Sequence, residues 1–306
     1  MRRLSPEILM QEGLKTRTFN AIRKVFTYGV FERALLPAVA GTRYGGVWSR
    51  LIPGPQLYER GSVRRVCRDG INFDLDLSCL MQWYVYWGQT ETQRDRLYSM
   101  ISPGDIVLDV GTNIGETLLH FAKLTGNGGF VYGFEPDQEN YKNVQKNISL
   151  NEFKNVHVFN VGASDRQEQV KLFCVDPNNL GMNRILSEEE AAKFEDFTVI
   201  ETDTLDNIVA QNNIERIDLI KLDIEGYEMH ALRGAVATLR KFRPKLFIEV
   251  GYTRLLNNGT SPTEMVELLN EIGYVVRHAE TDEIILTDFD FSPLGDGGID
   301  VYAIAE

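Results

Sequence analysis

The sequence has few of the residues that build disulfide frameworks or metal centres. Its 306 residues include three cysteines (Cys67, Cys79 and Cys174) and four histidines, which form neither a Cys-x-x-Cys pair nor a shared cluster. Scattered thiols in odd number are typical of a reducing compartment, since a disulfide framework needs pairs. No run of 18 apolar residues occurs, so no transmembrane helix is predicted. No apolar signal segment follows the basic first residues, and we expect a cytoplasmic protein without a signal peptide.

Positive charge is scarce outside the N-terminal region. Residues 1–68 carry thirteen Lys and Arg and four Asp and Glu, a balance of +9, in a chain of net charge −12. The remainder therefore has a balance of −21, which argues against a nucleic-acid partner because phosphate binding depends on Lys and Arg. Two interpretations of the basic region stay open. We favour a solvated helical lid; the alternative is peripheral contact with an anionic membrane surface or an acidic partner.

The sequence predicts an N-terminal extension over residues 1–85 and one larger domain over residues 86–306. Apolar residues recur at helical spacing from Phe19 to Phe31, with charged residues between them. This pattern predicts an amphipathic helix that ends before Pro37, because proline interrupts the helical hydrogen bonds.

The rest of the extension is predicted to be mainly loop and strand. Residues 38–62 are rich in glycine and proline and are predicted to form a loop. Residues 63–77 alternate between apolar and polar side chains, which predicts a short pair of strands. Residues 80–87 contain four aromatic side chains. We prefer core packing as their role, with the lining of a substrate pocket as the alternative.

From about residue 100 onward, apolar strands alternate with helical segments. The predicted strands are 106–110, 130–134, 156–161, 217–222, 246–250, 274–278 and 300–304. The predicted helices are 114–124, 137–150, 228–240 and 262–272, and further strand candidates are 171–175 and 197–201. Regular strand–helix alternation implies right-handed crossovers. The sequence therefore predicts an α/β fold with a doubly wound, mainly parallel sheet covered by helices on both faces.

A glycine turn, Asp109-Val-Gly-Thr-Asn-Ile-Gly115, follows the first strand of this domain. Gly111 and Gly115 allow the backbone to approach a ligand closely, and the next helix begins with free N–H groups. Asp109 precedes the turn directly, where it would repel a pyrophosphate and attract a positively charged group. S-adenosylmethionine carries an ammonium, a carboxylate and a sulfonium and no phosphate, and it therefore suits this turn.

Polar residues also follow the next two strands. Glu135, followed by Pro136, is at the tip of the second strand, about 20 residues past the turn, where a carboxylate holds a ribose diol. The loop after the third strand contains Ser164 and Asp165, where an adenine would lie; an ordinary loop is the alternative. Asp109 and Glu135 could instead only cap helices, but two strand-end acids at matched points rarely do only that.

Three acids follow the next two strands of the sheet. Asp223-Ile-Glu225-Gly ends the fourth strand, and Glu249 lies at a similar height on the fifth. Such acids, in the crevice where ligands bind, can deprotonate a substrate hydroxyl or hold a divalent cation. The alternative is that Asp223 and Glu225 cap the following helix. We rank Asp223 first as catalytic base, then Glu225, then Glu249. No metal is predicted, and His230 is expected to pack or face solvent.

Three segments together resemble the FkbM-type methyltransferases, class I enzymes that O-methylate hydroxyls of sugars, polyketides and other natural products. They are Ser102–Gly115, Phe134–Pro136 and Lys221–Glu228, and the Asp-x-Glu-Gly element in the last is the most family-specific. The resemblance extends from about Gly88 to Val250. It implies a seven-stranded Rossmann-like sheet with a reversed last strand, S-adenosylmethionine as cofactor, and a small-molecule or glycan hydroxyl as acceptor.

The resemblance also implies roles for individual residues. The turn would contact the methionine end of the cofactor, Glu135 the ribose, and the Ser164–Asp165 loop the adenine. The cofactor-binding set is then Asp109, Gly111, Thr112, Asn113, Gly115, Glu135, Pro136, Ser164 and Asp165. Family members commonly have alanine where Thr112 stands. Glu91 resembles an acidic element that precedes the first strand in the family, here without its tyrosine.

The predicted reaction is in-line attack of a substrate oxygen on an activated methyl group, which the protein aligns and deprotonates. A nicotinamide-dependent dehydrogenase is disfavoured, because it needs a Gly-x-Gly-x-x-Gly turn without the acid Asp109. An RNA methyltransferase is disfavoured by the acidic body of the chain. A catalytically silent cofactor-binding module, acting on a partner through the N-terminal region, is the main alternative, and turnover of an added acceptor separates it from an enzyme.

Overall fold

A computed structural model describes residues 14–39, 48–88, 94–176 and 179–306. The chain divides into two compact units. The first consists of Met1–Glu91 and Pro177–Asn179, and the second of Thr92–Asp176 and Leu180–Glu306. Glu91 and residues 40–47 of the predicted loop lie outside the described residues. Within the described part, the helices are too short or too polar to cross a membrane.

The first unit contains helices, short 3₁₀ turns and one antiparallel strand pair. Its elements are α1 (Leu14–Val25), α2 (Gly29–Val39), 3₁₀ helices Trp48–Leu51 and Pro55–Leu57, β1 (Val63–Arg68), β2 (Ile71–Asp76) and α3 (Leu80–Trp87). The predicted strand pair is therefore confirmed. Trp83, Tyr86 and Trp87 of α3 are buried, whereas Tyr84 is exposed, so core packing accounts for three of the four aromatic side chains.

The prediction of one N-terminal helix ending before Pro37 is wrong. The backbone N–H groups of Phe26, Thr27 and Tyr28 donate to carbonyls three residues earlier, over 2.9–3.3 Å, and this tightening ends α1. A second helix starts at Gly29 and continues through Pro37 to Val39. Pro37 is tolerated because it lies near the end of α2, where its missing N–H removes one helical hydrogen bond.

The second unit is built on a seven-stranded sheet and a smaller four-stranded one. Its strands are β3 (Ile106–Val110), β4 (Phe130–Phe134), β5 (Val156–Phe159), β6 (Gly162–Ala163), β7 (Glu168–Phe173), β8 (Arg184–Ile185), β9 (Phe197–Asp203), β10 (Leu219–Leu222), β11 (Lys245–Gly251), β12 (Tyr274–His278) and β13 (Gly298–Ala305). The large sheet has the order β12-β13-β11-β10-β3-β4-β5, and the small one β6-β9-β7-β8. β13 is antiparallel to both neighbours, and the other pairs in the large sheet are parallel. The predicted α/β fold with a reversed last strand is confirmed.

Helices connect these strands. They are α4 (Arg94–Ser99), α5 (Glu116–Thr125), α6 (Gln138–Ser149), α7 (Glu188–Ala191), α8 (Leu205–Gln211), α9 (Glu228–Arg233), α10 (Val236–Phe242), α11 (Tyr252–Asn257) and α12 (Pro262–Glu271), with 3₁₀ turns at Gly126–Gly128, Leu180–Met182 and Ser292–Leu294. The single helix predicted over 228–240 is wrong, because the chain breaks it at Gly234. A Cβ atom on Gly234 would lie 1.9 Å from the Ser164 carbonyl oxygen, so this glycine allows a close approach of two backbones.

The large sheet is buried on both faces. Leu108 and Val110 of β3 pack in one apolar cluster, and Val107 packs in another on the opposite face. The strand order reverses between β3 and β10, whose chain neighbours lie on opposite sides. In open α/β sheets, the crevice beyond the C-terminal ends of the strands at such a reversal is where ligands bind. The fold therefore brings the strand-end acids to this crevice.

Candidate active site

The glycine turn lies against the end of β10. Gly111 and Gly115 have φ values of +85° and +88°, and Asn113 between them has +52°. A Cβ atom on Gly111 would lie 1.9 Å from the Asp223 carbonyl oxygen, and one on Gly115 would lie 2.5 Å from Val144 Cγ2. Both positions therefore require glycine for conformation and for space. The turn consequently packs tightly between the acid loop after β10 and helix α6.

Hydrogen bonds join the turn to the end of β4. The N–H groups of Gly111 and Thr112 both donate to the Phe134 carbonyl over 3.1 Å. The Thr112 hydroxyl accepts from the Phe134 N–H over 3.1 Å and donates to the Asp109 carbonyl over 2.8 Å. An alanine here could make neither side-chain bond, so Thr112 contributes to the rigidity of this turn.

Glu135 accepts hydrogen bonds from two backbone segments. The Asn113 N–H donates to its Oε2 over 2.7 Å and the Asp137 N–H to its Oε1 over 2.9 Å. The side chain is buried, and burial raises its pKa to about 8 although the two N–H groups oppose this rise. Asn160, which the sequence analysis did not assign, donates to the Glu135 and Pro136 carbonyls over 2.8 and 3.1 Å. The predicted ribose acid is therefore held rigidly next to the turn.

Lys221 connects the glycine turn with the acids after β10. Its Nζ lies 3.3 Å from Asp109 Oδ1 and 3.3 Å from Asp223 Oδ2, and it donates to the Gly111 carbonyl over 3.1 Å. Burial lowers its pKa, but Asp223 and Asp109 outweigh this effect and hold the pKa above its ordinary value. Sequence reasoning missed this role. The available signal was a lysine in an otherwise apolar, buried strand, where an unpaired charge is costly.

Asp109 is fully buried behind the turn. Its Oδ2 accepts from the Thr117 hydroxyl over 2.8 Å. Its Oδ1 accepts no aligned hydrogen bond from the described residues, although Lys221 Nζ is near. Burial raises the pKa of Asp109 above its ordinary value, against the opposing effect of Lys221. This oxygen therefore retains unused capacity to accept a hydrogen bond.

The three predicted catalytic acids come together. One carboxylate oxygen from each of Asp223, Glu225 and Glu249 lies within 4.8 Å of the other two. Arg254 Nη1 lies 3.1 Å from Glu225 Oε2, and its Nη2 lies 3.1 Å from Glu249 Oε1. A guanidinium thus supplies positive charge to two of the acids. The side chain of Asp223 is 41% exposed, whereas those of Glu225 and Glu249 are 17% and 15% exposed.

Asp223 and Glu249 have opposite pKa shifts. Burial raises the pKa of Asp223, but Lys221 and a hydrogen bond with Glu249 lower it below its ordinary value. Burial and the Asp223 charge raise the pKa of Glu249 well above its ordinary value, and Arg254 opposes this rise. Neighbouring carboxyl groups of this kind titrate as a coupled pair. Asp223 therefore loses its proton at a lower pH than Glu249 does.

Three glycines pack closely around Arg254. The sequence analysis did not identify this arginine as a site residue. A Cβ atom would lie 2.7 Å from Arg254 Cβ at Gly226, 2.3 Å from Nε at Gly251, and 3.2 Å from Nη2 at Gly298. Gly226 also has a φ of +103°. Glu228 supports the same loop, because its Oε1 accepts from the N–H groups of Ile224 and Gly226. The arginine and the Asp-x-Glu-Gly loop are therefore packed as one rigid piece.

The predicted adenine loop is anchored to the second sheet and to α9. The Ser164 N–H donates to the Asp203 carbonyl over 2.9 Å, and Ser164 is fully buried. Asp165 Oδ2 lies 3.3 Å from His230 Nδ1, and His230 Nε2 lies 3.2 Å from the Asn258 carbonyl. His230 packs here with 15% of its side chain exposed. The loop therefore presents one partly exposed acid, Asp165.

The chain is similar in sequence to known methyltransferases. Residues 109–276, more than half of the chain, match the family described as the methyltransferase FkbM domain. The 2-O-methyltransferase NoeI of Sinorhizobium fredii is 26% identical over 152 residues, 46% of this chain and 61% of the relative. The hexuronic acid methyltransferase AglP of Haloferax volcanii is 22% identical over 185 residues, 58% of this chain and 72% of the relative.

Among solved structures, a methyltransferase FkbM from Methylobacillus flagellatus KT is similar to this chain. It is 21% identical, with a TM-score of 0.41, and the match covers 67% of this chain and 47% of that one. The chain thus spans about three-fifths of the length of the first curated relative and about half of this solved structure.

Proposed function

The chain belongs to the FkbM methyltransferase family, and from this premise we propose that it transfers a methyl group from S-adenosylmethionine to a sugar hydroxyl. The names of the two curated relatives support this acceptor class, since one denotes a 2-O-methyltransferase and the other acts on a hexuronic acid. The acceptor is then a free sugar or a glycoconjugate. The acidic second unit is consistent with an acceptor that carries no phosphate backbone.

The residues around the glycine turn fit this cofactor. Gly111 has no side chain, so the turn can lie directly against the Asp223 carbonyl at the end of β10. Asp109 Oδ1 is buried with capacity to accept a hydrogen bond, which suits the ammonium of a methionine moiety. Glu135 retains lone pairs on both oxygens beyond its backbone bonds, which suits two ribose hydroxyls. The partly exposed Asp165 suits the exocyclic amine of adenine.

Asp223 is the proposed catalytic base. When bound, S-adenosylmethionine supplies an electrophilic methyl group on a sulfonium. Asp223 is the most exposed of the three acids, and Lys221 keeps it ionised. Its carboxylate would accept the proton of an acceptor hydroxyl as that oxygen displaced the methyl group from the sulfonium sulfur. Lys221 also links Asp223 to Asp109, so one side chain sets the spacing between the base and the cofactor turn.

Glu225, Glu249 and Arg254 are proposed to orient the base. Glu249 shares a hydrogen bond with Asp223 and so fixes the direction of the Asp223 carboxylate. Arg254 spans Glu225 and Glu249 and keeps three nearby acids from repelling one another. A divalent cation would have to compete with this guanidinium for the same carboxylates. The structure therefore favours a base over a metal site in this cluster.

The observation that carries the proposal is the Asp109–Lys221–Asp223 chain, which joins the family's cofactor turn to an ionised strand-end acid. Calorimetric titration of S-adenosylmethionine and S-adenosylhomocysteine against wild type and Glu135→Ala tests the cofactor. We expect binding to wild type and a loss of at least about tenfold in the variant, since two hydrogen bonds to the ribose hydroxyls are removed, each worth about 0.5–1.5 kcal/mol. Absence of binding to wild type would contradict the proposal.

Methyl transfer from labelled S-adenosylmethionine to a panel of sugars tests the reaction. Transfer to a sugar hydroxyl is expected for wild type. Binding of the cofactor without transfer to any acceptor would instead identify a silent cofactor-binding module.

A further inference from the structure

A cavity of about 730 Å³ opens beside α9 in the second unit. Its wall is formed by three segments: residues 185–190 with Lys193, Tyr227 before α9 with His230 in α9, and residues 256–259. This volume is within the range of about 300–1,000 Å³ that is typical of small-molecule sites. These residues have no role in the chemistry described above. The cavity is therefore a candidate site for a second ligand.

Two stacked rings form part of the wall. The rings of Tyr227 and His230 lie with centroids 4.3 Å apart at 23° to one another. Contacts of His230 with Asp165 and with the Asn258 carbonyl, over 3.3 and 3.2 Å, hold the pair in place. Ring faces carry partial negative charge and attract polarised C–H groups. The wall therefore offers a fixed surface on which the C–H face of a sugar can pack.

Amide and carboxylate groups also line the cavity. Asn257 Nδ2 donates to Glu190 Oε1 over 2.7 Å, and Asn258 is next to it in the wall. Asparagine amides both donate and accept hydrogen bonds, as sugar hydroxyls do. This combination of ring surface and amide groups fits a hydroxylated ring better than a purely apolar molecule.

The charged side chains of the cavity wall favour some hydroxylated ligands over others. Three carboxylates, Glu188, Glu189 and Glu190, face one ammonium, Lys193. Glu188 and Glu189 are exposed, so their charges act on a ligand at the mouth of the cavity. Like charges brought together across an interface are unfavourable. An anionic ligand such as a uronic acid is therefore disfavoured relative to an uncharged sugar.

The cavity adjoins both halves of the proposed reaction site. His230 contacts Asp165 of the adenine loop. Asn258 Nδ2 donates to the Gly226 carbonyl over 3.2 Å, directly after Glu225. We propose that the cavity binds the acceptor and that this acceptor is an uncharged sugar. The assignment rests on the proposed function, because it takes the second ligand to be the methyl acceptor.

The test is equilibrium binding to the full chain loaded with S-adenosylhomocysteine. The probes are the methyl glycosides of glucose, galactose and mannose, and those of glucuronic and galacturonic acid. We expect at least one uncharged glycoside to bind more tightly than either uronide. The variant Glu188→Lys/Glu189→Lys should shift the ratio of uronide to uncharged affinity by about tenfold towards the uronide, because two exposed charges reverse.

The matched control is Glu267→Lys/Glu271→Lys, which makes the same charge change at exposed positions of α12 outside the cavity. This variant should leave the affinity ratio unchanged. The assignment would be overturned if both variants shifted the affinity ratio equally. It would also be overturned if wild type bound a uronide more tightly than the uncharged glycosides, or if no uncharged glycoside bound. Binding of S-adenosylhomocysteine, measured in the same titrations, tests the cofactor of the proposed function separately from the acceptor cavity.

Discussion

Arg254 and Glu249 form an ion pair of 3.1 Å between Nη2 and Oε1, and Arg254 is 9% exposed. The same guanidinium also pairs with Glu225. Breaking a buried ion pair from one side is costly, because the remaining charges keep their desolvation penalty. Arg254 is thus expected to stabilise the folded acid cluster, in addition to its proposed role in orienting the base.

Arg254→Met should lower the free energy of unfolding by about 3–5 kcal/mol, measured by urea denaturation at pH 7. Arg254→Lys should lose less, since an ammonium keeps the charge but does not bond two carboxylates in a fixed geometry. The control is Arg166→Met. Arg166 pairs with Glu168 over 2.8 Å, but 65% of its side chain is exposed, so the loss should be much smaller than for Arg254. Equal losses for both arginines would contradict this account.

Gly111→Ala should destabilise the protein far more than Gly104→Ala. Both glycines have positive φ values, +85° and +91°, so both substitutions introduce similar backbone strain. A Cβ atom on Gly111 would meet the Asp223 carbonyl at 1.9 Å, whereas the nearest atom to one on Gly104 is 4.0 Å away. We expect about 1–2 kcal/mol for Gly104→Ala and about 1–3 kcal/mol more for Gly111→Ala, measured by thermal unfolding. Similar losses would show that the turn moves freely away from Asp223.

Glu135 should make stability fall as pH rises. Its pKa is raised by burial to about 8 in the folded state, above its ordinary value of 4.5. Between these two values the folded protein binds more protons than the unfolded chain, so the free energy of unfolding decreases with increasing pH. One such group contributes a slope of at most about −1.4 kcal/mol per pH unit. Below pH 4.5 and above pH 8 its contribution to the slope vanishes.

Urea denaturation of wild type and Glu135→Gln at pH 5, 6, 7 and 8 measures this slope. The variant loses one acceptor for a backbone N–H and should be less stable at pH 5. Its disadvantage should shrink or reverse by pH 8, because an amide does not ionise. Glu139→Gln, an exposed position on α6, should leave the slope unchanged. A parallel pH dependence in wild type and Glu135→Gln would show that Glu135 is ionised throughout.

Asp223→Asn should lower kcat by roughly 10²–10⁴-fold, because removal of a general base has this effect. Binding of S-adenosylhomocysteine should change little, which separates loss of chemistry from loss of the cofactor site. Since the pKa of Asp223 lies below its ordinary value, kcat of wild type should stay constant from neutral into mildly acidic pH. Asp288→Asn, at an exposed position, is the control. A kcat for Asp223→Asn within tenfold of wild type would exclude Asp223 as the base.

Glu32 should be the most sensitive position of the first unit. This fully buried carboxylate accepts from the Tyr86 hydroxyl over 2.6 Å and from Arg64 Nε over 3.1 Å. Glu32→Ala leaves an arginine and a tyrosine without their buried acceptor, and we expect a loss of about 3–5 kcal/mol. Asp74→Asn removes a pair with Arg65, which is 61% exposed, and should cost much less stability than Glu32→Ala. Denaturation monitored by the fluorescence of Trp83 and Trp87 measures both.

The apolar pattern of the sequence was enough to predict the strands of the large sheet. The strands Ile106–Val110 and Phe130–Phe134 were predicted with the observed bounds, because short apolar runs between glycine turns have few other stable arrangements. Helix breaks were not predictable in the same way. α9 and α10 are separated at Gly234 because its backbone passes Ser164, a contact between residues 70 positions apart. The spacing of residues along the chain does not show that two such distant segments come into contact.

The sequence by itself determined the fold class, the family and the acids at the C-terminal ends of β3, β4, β10 and β11. Each of these depends on short stretches of neighbouring residues. Only the tertiary structure decided which charged side chains pair with these acids and which residues fix their positions. Lys221 pairs with Asp109, which lies 112 positions earlier, and Arg254 pairs with Glu225 from another element. The protonation of a buried carboxyl depends on which charges face it and how far water is excluded, and folding alone brings those charges together.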